Sequence, residues 1–186
     1  FQKLYCTPEY HWTFFLMNDK IREGQWPASP NAIFDEAVSI YSTRVITTRT
    51  KLTDKFKVGQ TITGASSGAT AKIGKRILDL GQVFLEDVVG TFVAGENVNS
   101  TNTDGVTEVI VVTSFEFQYN AAHHYENSDK EYVDIDPEVG PGALLTEVTW
   151  LDRVQKINTD NREIKVIKPG LINDIVRSFR EAVNSV

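Results

Sequence analysis

The stretch Phe56–Lys72 reads FKVGQTITGASSGATAK, and its glycines decide what kind of fold the middle of the chain can have. A phosphate-binding loop needs two glycines with four residues between them, then a lysine and a hydroxyl residue opening a helix. Gly64 and Gly68 enclose only Ala65, Ser66 and Ser67, and Ala69 and Thr70 follow where lysine and serine are required. The next residues, ATAKIGKRI, alternate and carry a glycine, which suits a strand better than a helix. The stretch therefore predicts a β-hairpin: TIT enters, GASSG turns and ATAKI returns.

Working outward, FKVGQTI at Phe56–Ile62 is echoed by FVAGENV at Phe92–Val98. In each, an aromatic is followed three residues later by glycine, then by Gln60 or Glu96, then by Ile62 or Val98. A glycine placed twice in this way predicts a turn with positive φ at Gly59 and Gly95. Two such units could pack as pseudo-symmetric halves of a small barrel or roll. Residues 53–113 are rich in glycine, threonine and valine, with apolar spacing near two, and are expected to form this β module.

The flanks differ in character. Residues 1–52 form a first zone. HWTFFLMN holds Trp12, Phe14 and Phe15, and period two would place Trp12 with Phe14 on a short strand. GQWPASPN is a turn region broken by Pro27 and Pro30. A helix is predicted from Pro30 to Thr43, capped by Ser29, with proline at its first position and Asp35 and Glu36 in its early turns. RVITTRTKLT is expected to be extended. Residues 114–186 form a third zone with an alternating start, a Pro/Gly loop at 132–142, a helix in LLTEVTWLDRVQKIN, a short strand in REIKVIK with Ile164, Val166 and Lys168 inward, and a last helix in PGLINDIVRSFREAV. That helix carries a broad apolar face of Leu171, Ile172, Ile175, Val176, Phe179 and Val183, with Arg177 and Arg180 beside it. The expected class is α+β: an N-terminal arm and helix, a small β-barrel or β-roll in the middle, and a C-terminal helix-strand-helix segment.

Composition narrows the function classes. The 186 residues can bury a sizeable core, and a net charge of -6 argues against a nucleic-acid partner. Cys6 is the only cysteine, so no internal disulfide forms. No apolar run reaches the ~20 residues that span a membrane, and no signal peptide is visible, although the sequence starts at Phe1 without a methionine.

Catalytic material is thin. His123 and His124 are adjacent, and on a regular strand they would face opposite ways, a poor arrangement for a shared metal. His11 stands alone beside Trp12 and reads as packing. Asp134, Asp136 and Glu138 lack the ligand count and the glycine of a calcium loop. No serine or cysteine lies in a nucleophile elbow. No catalytic residue, metal or cofactor is expected. An acid-base pair drawn from Glu86, Asp87 or Glu96 is the residual enzyme reading, and exposed Asn97, Asn99 and Asn102 offer a glycan-binding one. Trp12, Phe14, Phe15 and Trp26, together with Trp150, Ile175 and Phe179, are the candidates for a partner interface.

The two ends carry a resemblance. YHWTFFLMNDKI followed by QWP, HHYEN before a loop, and EVTWLDRVQKINTDNREIKVIKPGLINDIVRSFREAV resemble segments of the small baseplate wedge subunit of T-even-type contractile-tailed phages. These segments cover about half the chain. The middle departs from that family and resembles a small β module of phage virion proteins, inserted into the wedge scaffold. The resemblance implies a structural, non-enzymatic subunit of the tail baseplate, made in the bacterial host cytoplasm and present in six copies. Its implied partners are the dimeric wedge subunit and the large peripheral wedge subunit, near the sheath-initiating subunit, around the central hub.

Overall fold

Gly59 and Gly95 adopt φ of 92° and 87°, a backbone that only glycine enters without strain. Each is the third residue of a turn closed by the next N–H: Gln60 donates to the Lys57 carbonyl and Glu96 to the Val93 carbonyl. Each turn then docks on a distant strand through the same pair of bonds. Gly59 N–H donates to the Ile73 carbonyl while Ile73 N–H donates to the Gln60 carbonyl. Likewise Gly95 N–H donates to the Val112 carbonyl while Val112 N–H donates to the Glu96 carbonyl. The echo in the sequence is thus repeated bond for bond.

The structure is a computed structural model, and it describes residues 2–184. Phe1 and Val186, the outer limits of the first and third expected zones, lie outside the described residues. The fold is α+β. Six antiparallel strands close a barrel: β1 (Arg44–Thr48), β2 (Thr61–Gly64), β3 (Thr70–Ile77), β4 (Gln82–Val89), β5 (Asn97–Thr101) and β6 (Thr107–Phe117). Their order around the wall is β1-β4-β3-β2-β5-β6, and β6 pairs back onto β1. This order reads the same after exchanging β1 with β4, β3 with β6 and β2 with β5, so the barrel has pseudo-two-fold symmetry. The β2–β5 register agrees: Ile62 faces Ser100, Thr63 faces Asn99 and Gly64 faces Val98.

Alternation fills the interior. Ile46, Ile62, Ile73, Val83, Leu85, Val98, Ile110 and Val112 point inward, with Phe56 and Phe92 entering from the two equivalent turns. Closure removes every sheet edge, the usual weak point of a small β fold. The barrel is not confined to residues 53–113. It takes β1 from the first zone and extends β6 to Phe117, because six strands are needed to close what the two hairpins begin.

Outside the barrel wall, β7 (Ala122–Glu126), β8 (Tyr132–Val133) and β9 (Thr146–Thr149) form a sheet in the order β8-β7-β9. The helices are α1 (Gln2–Tyr5), α2 (Trp12–Met17), α3 (Asp19–Arg22), α4 (Pro30–Ile40), α5 (Trp150–Asp160) and α6 (Ile172–Asn184). The chain separates into two compact units: residues 30–155, which include the barrel and the small sheet, and a helical unit of residues 1–29 with 156–186.

Three local expectations change. Trp12–Met17 is a helix, not a strand. Thr13 Oγ1 donates to the Tyr10 carbonyl at its start, and Asn18 Nδ2 donates to the Phe14 carbonyl at its end. The helix predicted from Leu144 begins only at Trp150, after strand β9. Thr149 and Asp152 form a reciprocal capping box there: Asp152 N–H donates to Thr149 Oγ1 at 3.1 Å and Thr149 N–H donates to Asp152 Oδ2 at 2.9 Å. REIKVIK is not a strand, so the C-terminal segment is helix-coil-helix. Its packed residue is Ile167, while Val166 and Lys168 are exposed.

Candidate interaction surface

In the helical unit, asparagine side chains take the place of strand pairing. Asn18 Oδ1 accepts the Lys165 N–H at 2.8 Å while its Nδ2 donates to the Lys165 carbonyl at 2.8 Å. Asn158 repeats the device on Ala28, with Oδ1 accepting the Ala28 N–H at 2.8 Å and Nδ2 donating to the Ala28 carbonyl at 3.2 Å. Each amide reads both polar groups of one residue in an extended segment. The two sequence ends are therefore stitched together without a sheet.

The apolar part of this unit is thin. Tyr5, Ile172 and Val176 are its buried cluster, with Trp12, Phe14 and Ile167 half-buried against them. Tyr5 O–H donates to the Ile167 carbonyl at 2.7 Å. The helical α2 turns its aromatics in three directions: Trp12 lies tilted against Phe179 at 4.9 Å, Phe14 meets the edge of Tyr5 at 6.2 Å and Phe15 meets Trp26 at 6.2 Å. A strand would have sent Trp12 and Phe14 the same way. Leu16, Met17, Trp26, Leu171, Ile175, Phe179 and Val183 remain exposed, more large apolar side chains than the unit buries. Exposed apolar side chains in this number make the helical unit the candidate contact region.

Of the interface candidates, Trp12, Phe14, Phe15, Trp26, Ile175 and Phe179 belong to this unit. Trp150 does not. It lies in the barrel-containing unit, 4.9 Å from the Tyr41 ring and 4.5 Å from the His123 ring. Leu16 and Met17 were not singled out in the sequence; the helical period of α2, hidden by a strand-like run of aromatics, would have pointed to both.

The polar candidates have local structural partners. Glu96, 5% exposed, accepts the N–H groups of Ser66, Ser67 and Val93 and the Ser67 hydroxyl. Burial pushes its carboxyl up, but the Ser67, Val93 and Ser66 donors outweigh it and hold the group below its ordinary value. Glu86 and Asp87 are exposed on β4. His11 is exposed, with Nδ1 3.1 Å from the Pro8 carbonyl. His123 and His124 do not diverge as a regular strand would require. The register of β7 slips between Ala122 and His124, and this bulge brings their Nδ1 atoms to 2.8 Å. His124 also meets Glu126 Oε1 at 3.1 Å and stacks on Tyr132 at 3.7 Å. Burial first, then the charge of Arg153, push His123 down to about 4.

Among the described residues, no group of three or more His, Cys, Asp or Glu converges as a metal site, and no helix is long and apolar enough to cross a membrane. A broad open groove runs over β2 and β5, lined by Thr61, Thr63, Asn99, Thr101 and Asn102 between Lys57 and Asp104. No protein-family model, curated protein or solved structure matches the chain.

Proposed function

We propose that this chain is a structural, non-catalytic subunit of a phage tail baseplate wedge. It would join the dimeric wedge subunit and the large peripheral wedge subunit, near the sheath-initiating subunit, in a six-fold assembly around the hub. One observation carries the reading. Two of the segments that resemble the wedge family, residues 10–27 and most of 147–183, meet in a single helical unit that leaves more large apolar side chains exposed than it buries, while HHYEN lies at β7 of the barrel-containing unit. Stable assembly interfaces are large and apolar, and a subunit that folds with such a surface uncovered suits permanent incorporation. The virion-type β module closes into a barrel only with β1 and the end of β6 from its flanks, and an insertion at this place still leaves the two ends free to meet.

The test is co-expression with the other wedge subunits of the source phage, followed by size exclusion. Co-elution that is lost in a Trp26→Ser, Phe179→Ser double variant supports the reading. Tails that assemble normally without the chain defeat it.

The groove over β2 and β5 favours glycan binding as a second reading, since its amides and hydroxyls match sugar hydroxyls. It has no aromatic ring in its lining for a sugar to stack on. Retention on peptidoglycan or host glycan resin, abolished by Asn99→Ala, would move the second reading ahead of the first.

A further inference from the structure

A second recess, of about 300 Å³, lies within the barrel-containing unit between the outer wall of β6-β1-β4 and the small sheet. The pleat explains why its floor is polar. Ile46, Val83 and Phe115 pack on the barrel core, so their strand neighbours Thr47, Gln82, Ser114 and Glu116 turn outward. Ser114, Thr47 and Gln82 are cross-strand partners in one row. The small sheet supplies Tyr125 and Glu147 from the opposite side.

Gln82 is 1% exposed. Its Nε2 donates to the Ala122 carbonyl at 2.8 Å, which fixes which end of the amide is which. Its Oε1 is then buried with no hydrogen-bond partner. A buried acceptor left empty is unfavourable, so the site asks for a donor or a cation. Two carboxylates line the same recess. Glu116 accepts from Ser114 Oγ at 2.8 Å, and Glu147 accepts from the Tyr125 hydroxyl at 3.2 Å. Burial, and then the Glu147 carboxylate, raise Tyr125 to about 12, so the phenol stays a donor. Burial pushes Glu147 up too; the Tyr125 hydroxyl counters this, while the charges of Glu116 and Asp152 add to it. Two carboxylates alone would not define a metal site. A third oxygen, the unpaired amide oxygen of Gln82, belongs to a residue that lines the same recess.

We propose that this recess binds a hard divalent cation of the calcium type through the carboxylates of Glu116 and Glu147 and the amide oxygen of Gln82. Hydroxyls of the Ser114–Thr47 row and water would complete the shell. All the donors are oxygens, two of them anionic, which selects calcium or magnesium over softer metals. Calcium accepts irregular sets that mix carboxylate, amide and water, whereas magnesium demands a near-ideal octahedron. Arg49 also lines the recess, and its charge is felt at Tyr125. It offsets one carboxylate and places the affinity at the weak end, with a Kd on the order of 10⁻⁴–10⁻³ M. This inference stands apart from the chain's place in a tail.

Tyr125 provides a built-in probe, because an aromatic ring beside a bound terbium ion sensitises its luminescence. The whole chain is titrated with Tb³⁺, then back-titrated with Ca²⁺, and Ca²⁺ binding is measured by calorimetry. The expected result is one saturable site. Glu116→Gln and Glu147→Gln, isosteres that keep the hydrogen-bonding shape, should each weaken Ca²⁺ by about tenfold or more. Asp134→Asn, in the acidic loop, should leave it unchanged. Circular dichroism checks that each variant is folded, and Gln82→Leu gives an independent third ligand change. Absence of saturable Ca²⁺ binding in the wild type would mean that Gln82 Oε1 is met by water alone, and would overturn the proposal. Unaltered Ca²⁺ affinity in the folded glutamate variants would overturn it equally.

Discussion

Glu96 holds three backbone N–H groups and one hydroxyl, all from two turns it joins. Its pseudo-equivalent, Gln60, faces a different need. There the neighbour is the buried carboxylate of Glu108, which already accepts the Phe56 N–H at 2.7 Å, and the Gln60 amide donates to it at 3.3 Å. A glutamate at position 60 would set two buried carboxylates together, while a glutamine at 96 would trade an acceptor for a donor facing N–H groups. The difference between the two halves thus follows from what each side chain meets. Glu96→Ala should leave several donors unpaired, at about 1–3 kcal/mol for each one water cannot reach, and lower the midpoint of urea unfolding. The folded carboxyl sits below its ordinary value of 4.5. Its stabilisation is therefore complete above that pH and is lost as pH falls through the folded value; the wild-type and Glu96→Ala midpoints should converge in acid. His123 adds a second acid-labile contribution. Its folded value, about 4, lies below the ordinary 6.5, so the unfolded chain takes the proton first. Stability is full above 6.5 and declines as pH drops toward about 4. His123→Gln should flatten that part of the profile; an unchanged slope between those two values would mean that the imidazole stays accessible when folded. The glycine turns yield a cleaner test. A Cβ on Gly59 or Gly95 would meet nothing within 4 Å, so Gly59→Val and Gly95→Val report backbone strain alone. Each should cost about 1–3 kcal/mol, and melting at the wild-type temperature in both would remove the paired-turn account.

At the scale of elements, what could be read in advance was what local chemistry writes down. The hairpin of β2 and β3, the twin glycine turns and helix α4 all depend on residues within a few positions of each other, and their signals were visible. The length of α4 was overestimated only at its end, since it stops at Ile40. A small barrel was expected, but the part of β1 in closing it was not visible, because β1 pairs with β4 and β6 across the intervening strands and nothing in RVITT specifies those partners. The small sheet escaped for the same reason, and its β7 bulge could not be seen without the partner strand that slips. Two misses had readable causes. TWLD at Thr149–Asp152 is a capping-box signature that fixes where α5 begins, although the apolar run around it extends further toward the N-terminus. In HWTFFLM the aromatics favour strand by propensity, yet tertiary packing against Tyr5, Trp26 and Phe179 selects helix. The glutamates of the polar recess gave no warning, because Glu116 and Glu147 are far apart in sequence and neither sits in a motif. The interface candidates were the reverse case: aromatic clustering proposed them as one group, and only the fold separated Trp150 from the rest.

The whole molecule is built from two units with very unequal means of support. The barrel-containing unit has a continuous buried core that runs from Ile46 to Val112 on strands bonded into a closed ring. The helical unit relies on a three-residue buried cluster and two asparagine clamps, in about 60 residues. Chains of that size bury a small share of their surface and are marginal on their own. The two should therefore unfold separately, since stability follows local burial and local hydrogen bonding. Native-state hydrogen exchange should show amides of α2 and α6 opening at lower free energy than those of β3, β4 and β6. Asn18→Ala should lower the protection of the helical unit and leave the barrel amides unmoved, because the clamp it removes lies wholly within residues 1–29 and 156–186. A partner that covers exposed apolar side chains of this unit such as Leu16, Trp26 and Phe179 would raise the protection of this unit alone, by an amount set by its concentration over Kd. A single cooperative transition, with equal protection across α6 and β6 and both lowered by Asn18→Ala, would show instead that the two units share one folding equilibrium, and the helical surface would no longer be the part that binding has to stabilise.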